Sequence, residues 1–196
     1  MIGKAYSGCW KYLKESRNFV LFALCLFFFS TLFGLLVPVF LSDTIRKIME
    51  DIVSRTDGMN FLQLAFFILQ NNITASLLGL VTGAIFGVMP LVYLFFNGYV
   101  LGVVMGKAIP LVGVGVFSRI LPHGIFEIPA VAISLGLGIR LGTSIFFKKK
   151  GKKGKKRVVK GFLYNLQNSA KTFFLVVLPL LIIAALIESS LMFVFG

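Results

Sequence analysis

The residues best suited to chemistry in this chain stand within its apolar stretches. In Leu121-Pro122-His123-Gly124-Ile125-Phe126-Glu127-Ile128-Pro129-Ala130, an imidazole and a carboxylate lie four positions apart. On a helix that spacing puts both on one face. A metal would need such neutral imidazole and carboxylate ligands, but more of them. His123 is the only histidine, no Cys or second carboxylate clusters near it in sequence, and no His-Glu-x-x-His pattern is present. No nucleophile accompanies the pair either. The sequence thus predicts no catalytic residue, no metal site and no cofactor, and the chain reads as a non-enzyme. The expected role is a polar clamp at the outer membrane face, with His123 bonded to Glu127 or to Asn71 and Asn72.

Other ionisable groups also stand where hydrocarbon is expected. A charge at the centre of a membrane helix costs roughly 2.5–3.5 kcal/mol on insertion scales, so each one calls for an explanation. Lys107 falls near the middle of one apolar run and Glu188 about two-thirds along another. Their depths differ by about 6 Å at ~1.5 Å per residue, which predicts an ion pair between helices. A rival reading makes Lys107, Glu127 and Glu188 an ion or proton path through helices broken at Pro90, Pro110 and Pro129. Arg140 lies toward the end of its run, where it can snorkel to the headgroups.

The elements that carry these groups follow from composition. Of 196 residues, 58% are hydrophobic and 14% charged, with 22 Phe. Soluble domains are roughly 45–50% apolar and about 25% charged, so a soluble globular enzyme is excluded. The net charge of +13 is not spread as a nucleic-acid footprint. Ten of the 20 Lys and Arg lie in residues 148–171 and four in residues 1–18, flanking apolar runs. That is the pattern of membrane topology.

Residues 19–41 carry no charge and, at about 34 Å of helix, can cross a ~30 Å hydrocarbon core. The run is too long for a cleaved signal and lacks a small-x-small site after it, so a retained first span is expected. Residues 43–59 are polar, with Ile45, Ile48, Met49 and Ile52 at helical spacing, which predicts a short interfacial helix. The 47 charge-free residues from Asn60 to Gly106 are too long for one crossing. With Asn71-Asn72 and Asn97-Gly98 as the punctuation, they predict an interfacial segment at 61–70 and spans at 73–95 and 98–118. Further spans are expected at 124–147 and 173–195. The fold class is an all-α bundle of about five spans in a single domain. The positive-inside rule puts the N-terminal flank and a basic loop at 148–160 in the cytoplasm and the C-terminus outside. Anionic lipid headgroups are the expected partners of Lys148–Lys160, alongside membrane or envelope proteins or a second copy of the chain; nucleic acid is not.

Glycines recur every fourth residue at Gly79, Gly83 and Gly87 and again at Gly98, Gly102 and Gly106. Ser134, Gly138 and Gly142 repeat the spacing, with Ala132 and Gly136 beside them. Small residues let helices approach closely in lipid, so spans two, three and four should form the core. The Phe-rich first span is expected outside them.

Several of these residues together resemble the stage II sporulation protein M family of integral membrane proteins. The likeness rests on Asn71-Asn72 before a Gly-rich span, Asn97-Gly98-x-x-x-Gly102, Pro122-His123-Gly124-x-x-Glu127-x-Pro129-Ala130, and Ala184-x-x-x-Glu188. It covers about residues 60–196. The resemblance implies a five-span protein of the cell membrane with no known enzymatic reaction. In endospore formers the namesake is a scaffold that holds peptidoglycan-degrading partners at the septal membrane, and relatives also occur where no spores form. A membrane scaffold is therefore the leading expectation and a small transporter or channel the alternative. The residues expected to bind are His123, Glu127, Asn71, Asn72, Asn97, Lys107 and Glu188.

Overall fold

The computed structural model describes residues 2–39, 42–146 and 154–195. Its helices are α1 (Ile2–Leu36), α2 (Ser42–Thr56), α3 (Phe61–Phe86), α4 (Met89–Val112), α5 (Val116–Phe146), α6 (Gly154–Thr172) and α7 (Leu178–Phe195). A 3-10 turn, Gly113–Gly115, joins α4 to α5, and a π-helical turn, Phe173–Val177, joins α6 to α7 without a break. Five stretches are long and apolar enough to cross a membrane: Tyr6–Leu36, Phe61–Ala84, Met89–Pro110, Gly124–Ser144 and Lys160–Val194. The expected all-α membrane bundle is the fold observed.

Backbone contacts set the directions. Along α4, Gly98 lies on Phe27 and Ser30, Gly102 on Thr31 and Leu35, and Gly106 on Leu35, so α1 and α4 advance together. Ser134 Oγ donates to the Ser76 carbonyl at 2.8 Å, and Gly138 and Gly142 follow against Gly79 and Gly83. α3 and α5 are therefore parallel as well. Gly136 packs on Phe19 and Val20 while Arg140 reaches Ser16, which makes α5 antiparallel to α1. Ser189 at the far end of α7 bonds the Phe61 carbonyl at the start of α3, at 2.9 Å. The beginning of α1, the end of α5 and α6 consequently meet at one end of the bundle. α2, the α4–α5 turn and the end of α7 lie at the other.

The glycine stripes make these contacts, but they pair differently from expectation. The α4 stripe receives α1, and Gly34 of α1 in turn lies under the Tyr99 carbonyl. The first span thus packs closely on α4, yet it is the least buried of the five, with Phe22, Phe28, Phe29 and Phe33 exposed as its Phe-rich sequence predicts. The α3 stripe receives α5, more of which is buried than of any other span. A Cβ added at Gly83 would stand 2.6 Å from the Gly138 backbone, closer than carbon atoms approach without overlap. In lipid, such contacts supply the dispersion energy that a hydrophobic drive cannot.

Several boundaries also move. Residues 61–70 are not a separate interfacial segment but the first turns of α3, which starts at a capping box. Asn60 Oδ1 accepts the Gln63 N–H at 3.0 Å, and Gln63 Oε1 accepts the Asn60 N–H at 2.9 Å. With its donors satisfied there, the helix runs straight through Asn71-Asn72. The reversal before α4 occurs at Gly87, not at Asn97-Gly98. Gly87 takes φ 66°, a left-handed conformation that glycine alone adopts freely, and Pro90 follows in the first turn of α4. Gly113 repeats the device at φ 69° after α4. α5 begins at Val116 rather than 124 and contains both Pro122 and Pro129. Residues 154–160 belong to α6 rather than to a loop, while 148–153 lie outside the described residues. The interfacial helix is present as α2, with Ile45 buried against Tyr99 and Val103.

Candidate functional site

Glu127 reaches a small cavity of about 110 Å³ lined by Phe27, Asn97, Leu101, Gly124, Glu127, Ile128 and Val131. α1, α4 and α5 each contribute to it. Because α5 starts early, Glu127 does not sit one turn inside the outer face. It stands level with Asn97 and Leu101, eight and twelve residues beyond Met89 in the α4 span Met89–Pro110. That is mid-depth, about 12 Å or more from either end of that span at ~1.5 Å per residue. Asn97 is exposed at the cavity, and its Nδ2 donates to the Tyr93 carbonyl at 2.8 Å. Glu127 is half-buried behind it. The cavity has room for a few waters and is well below the ~300–1,000 Å³ of organic-ligand pockets.

The remaining expected site residues do not join this cavity. Asn71 is exposed and Asn72 half-buried on α3, near the depth of Glu127, yet neither lines it. The backbone of His123 lies in α5 one turn before Glu127; its side chain is outside what the structure describes. Lys107 is exposed and near the end of α4, beside Gly106 and thus level with Leu35 at the end of α1. It is therefore shallower than Glu127 rather than near the middle of its span. Glu188 is half-buried at the same end, next to the Ser189 that bonds Phe61. The expected Lys107–Glu188 ion pair is not among those formed. The reason is lateral: α4 packs chiefly on α1, whereas α7 packs on α3 and α5. Among the described residues no cluster of three or more His, Cys, Asp or Glu is gathered.

The most developed polar network lies around Arg140, a residue that sequence reasoning dismissed as snorkelling. Its guanidinium sits 4.4 Å over the Tyr12 ring. It donates to Ser16 Oγ, to the Tyr12 carbonyl at 3.4 Å and to Glu15 Oε2 at 3.4 Å. Tyr12 is buried, and its hydroxyl donates to the Asn165 carbonyl at 3.1 Å and lies 3.0 Å from Ser169 Oγ. Tyr164 approaches Glu15 from α6 at 3.5 Å. α1, α5 and α6 are thereby tied at one end. Two signals could have exposed this. Tyr12, Glu15 and Ser16 are spaced for one helical face, and so are Asn165, Asn168 and Ser169.

The family model described as Stage II sporulation protein M matches residues 22–191, and the chain belongs to that family. No curated protein and no solved structure was found to match it.

Proposed function

We propose that this member of the Stage II sporulation protein M family is a non-enzymatic scaffold of the cell membrane, which holds a partner membrane protein against α4. The observation that carries the reading is Asn97, an amide exposed on the lipid-facing surface at mid-depth beside the Glu127 cavity. A polar group facing hydrocarbon is unfavourable until something covers it. A partner helix bearing its own polar side chain would do so, since interhelical hydrogen bonds join membrane helices. The glycine-locked pairs α1–α4 and α3–α5 support a rigid platform rather than a moving one. The family match is consistent with that role. The basic segment at 148–160 would add attraction to anionic headgroups, about 1 kcal/mol per Lys or Arg near the surface.

Purification from native membranes in mild detergent tests the reading. The parent protein should bring down one partner, or a second copy, in fixed stoichiometry, and Asn97→Leu should lose it while melting at the same temperature. Retention of the partner by Asn97→Leu would remove the basis for this interface. The transport reading draws on the same cavity, with Glu127 as a proton or cation site. It requires that vesicles holding the purified protein show flux that Glu127→Gln abolishes.

A further inference from the structure

At the end of the bundle where α1, α5 and α6 meet, a cleft of about 480 Å³ is lined by Phe19, Arg140, Thr143, Ser144 and Asn165. Asn165 is only 9% exposed, and its side-chain amide makes no hydrogen bond among the described residues. Among the described residues the side-chain atoms that are both fully buried and unbonded are Ser76 Oγ and Thr172 Oγ1, so the Asn165 amide keeps access to the cleft that it lines. Thr143 and Ser144 donate to the carbonyls of Arg140 and Leu141. Arg140 is held rigidly by Tyr12, Ser16 and Glu15, yet those bonds occupy only its two terminal nitrogens and leave Nε–H unused.

We infer that this cleft binds the phosphate of an anionic phospholipid, with Arg140 and the Asn165 amide as donors and an acyl chain lying along Phe19. Three features select a lipid over a free anion. Phe19 opens the charge-free run of α1, so it marks the boundary between headgroups and hydrocarbon. The cleft walls are largely apolar, which suits a chain and not a hydrated ion. The same end of the molecule carries Lys11, Lys14 and Arg17 on α1 and Lys160 and Lys171 on α6, against Glu15 as the described carboxylate there. That excess of positive charge favours an anionic headgroup over a zwitterionic one. Arg140 is preorganised for the phosphate, since its geometry is fixed before any lipid arrives. Apart from Lys160, no residue of the basic segment at 148–160 and none of the α4 surface enters this proposal, and it does not depend on the scaffold reading.

Native mass spectrometry of the full chain in detergent tests it, with phosphatidylglycerol, phosphatidylcholine and inorganic phosphate as the three probes. The parent should retain one phosphatidylglycerol through activation that strips the rest. Asn165→Leu should bind that lipid about tenfold more weakly while melting unchanged, the difference expected for one hydrogen bond to a charged group. Arg140→Gln should weaken it further; if that variant does not fold, Asn165→Leu decides alone. Replacing Lys152 and Lys153 by Gln should lower the number of loosely held lipids and leave the tight one. Equal retention of phosphatidylcholine, displacement of the lipid by inorganic phosphate, or undiminished binding by Asn165→Leu would each overturn the proposal.

Discussion

At the scale of single residues, the polar side chains divide by what they bond. Ser30, Ser134 and Ser189 each reach a backbone carbonyl on another helix, and their worth is structural. Ser134→Ala should destabilise the folded protein by about 0.6 kcal/mol, and at most about 2, the range measured for such bonds in membranes. Chemical unfolding in detergent checks this, and a loss beyond that range would mean that Ser134 does more than bond Ser76. Glu127 differs because it borders a cavity shared with exposed Asn97. Glu127→Gln keeps shape and hydrogen bonding, so the variant should fold as the parent does while losing partner retention. Parent-like retention by both Glu127→Gln and His123→Ala would leave the site purely structural. Sequence spacing made Glu127 visible but not its company. The depth of a side chain depends on where its helix begins, and α5 begins eight residues before the reading from Pro122-His123 would have it.

At the scale of helices, glycine spacing was legible and glycine pairing was not. A stripe of small residues tells which face is approached closely, but the approaching helix is a property of the whole arrangement. α4 turned out to receive α1, because the reversal at Gly87 leaves α4 running parallel to the first span. The missed boundaries have the same origin. Asn71-Asn72 carries cap-forming side chains but lies in a stretch already started by the Asn60–Gln63 capping box, and Asn97-Gly98 lies where α1 needs a bare backbone. Two substitutions of the same type should therefore have opposite signs. Gly83→Ala places a methyl 2.6 Å from the Gly138 backbone and should destabilise by about 1–3 kcal/mol, as overpacking does. Gly161→Ala meets nothing within 4 Å on an exposed face of α6 and should stabilise by about 0.5–1 kcal/mol through helix propensity. Thermal melts of the two variants in one detergent compare them directly; the same sign for both would mean that the α3–α5 contact is looser than described.

At the scale of the whole molecule, packing gathers the basic segments at one end and charge predicts which way that end faces. The start of α1 and the basic α6 meet at one end, and the positive-inside rule assigns that end to the cytoplasm. Gly58, at φ 71° with open space around it, lies beyond α2 at the other end. With Cys9 and Cys25 replaced, a cysteine at Gly58 should react with an impermeant reagent outside cells, and one at Gly3 only after the membrane is opened. The reverse pattern would invert the molecule. The exposed face of α4 around Asn97 is the surface proposed to receive a partner. The most direct measurement is photocrosslinking in native membranes, with a benzoyl-phenylalanine in place of Tyr93, one turn from Asn97, and another in place of exposed Leu21 on α1 as the control. One discrete protein adduct is expected from position 93, absent when Asn97→Leu is added, and lipid adducts alone from position 21. Lipid adducts alone from position 93, or a protein adduct that survives Asn97→Leu, would contradict that docking.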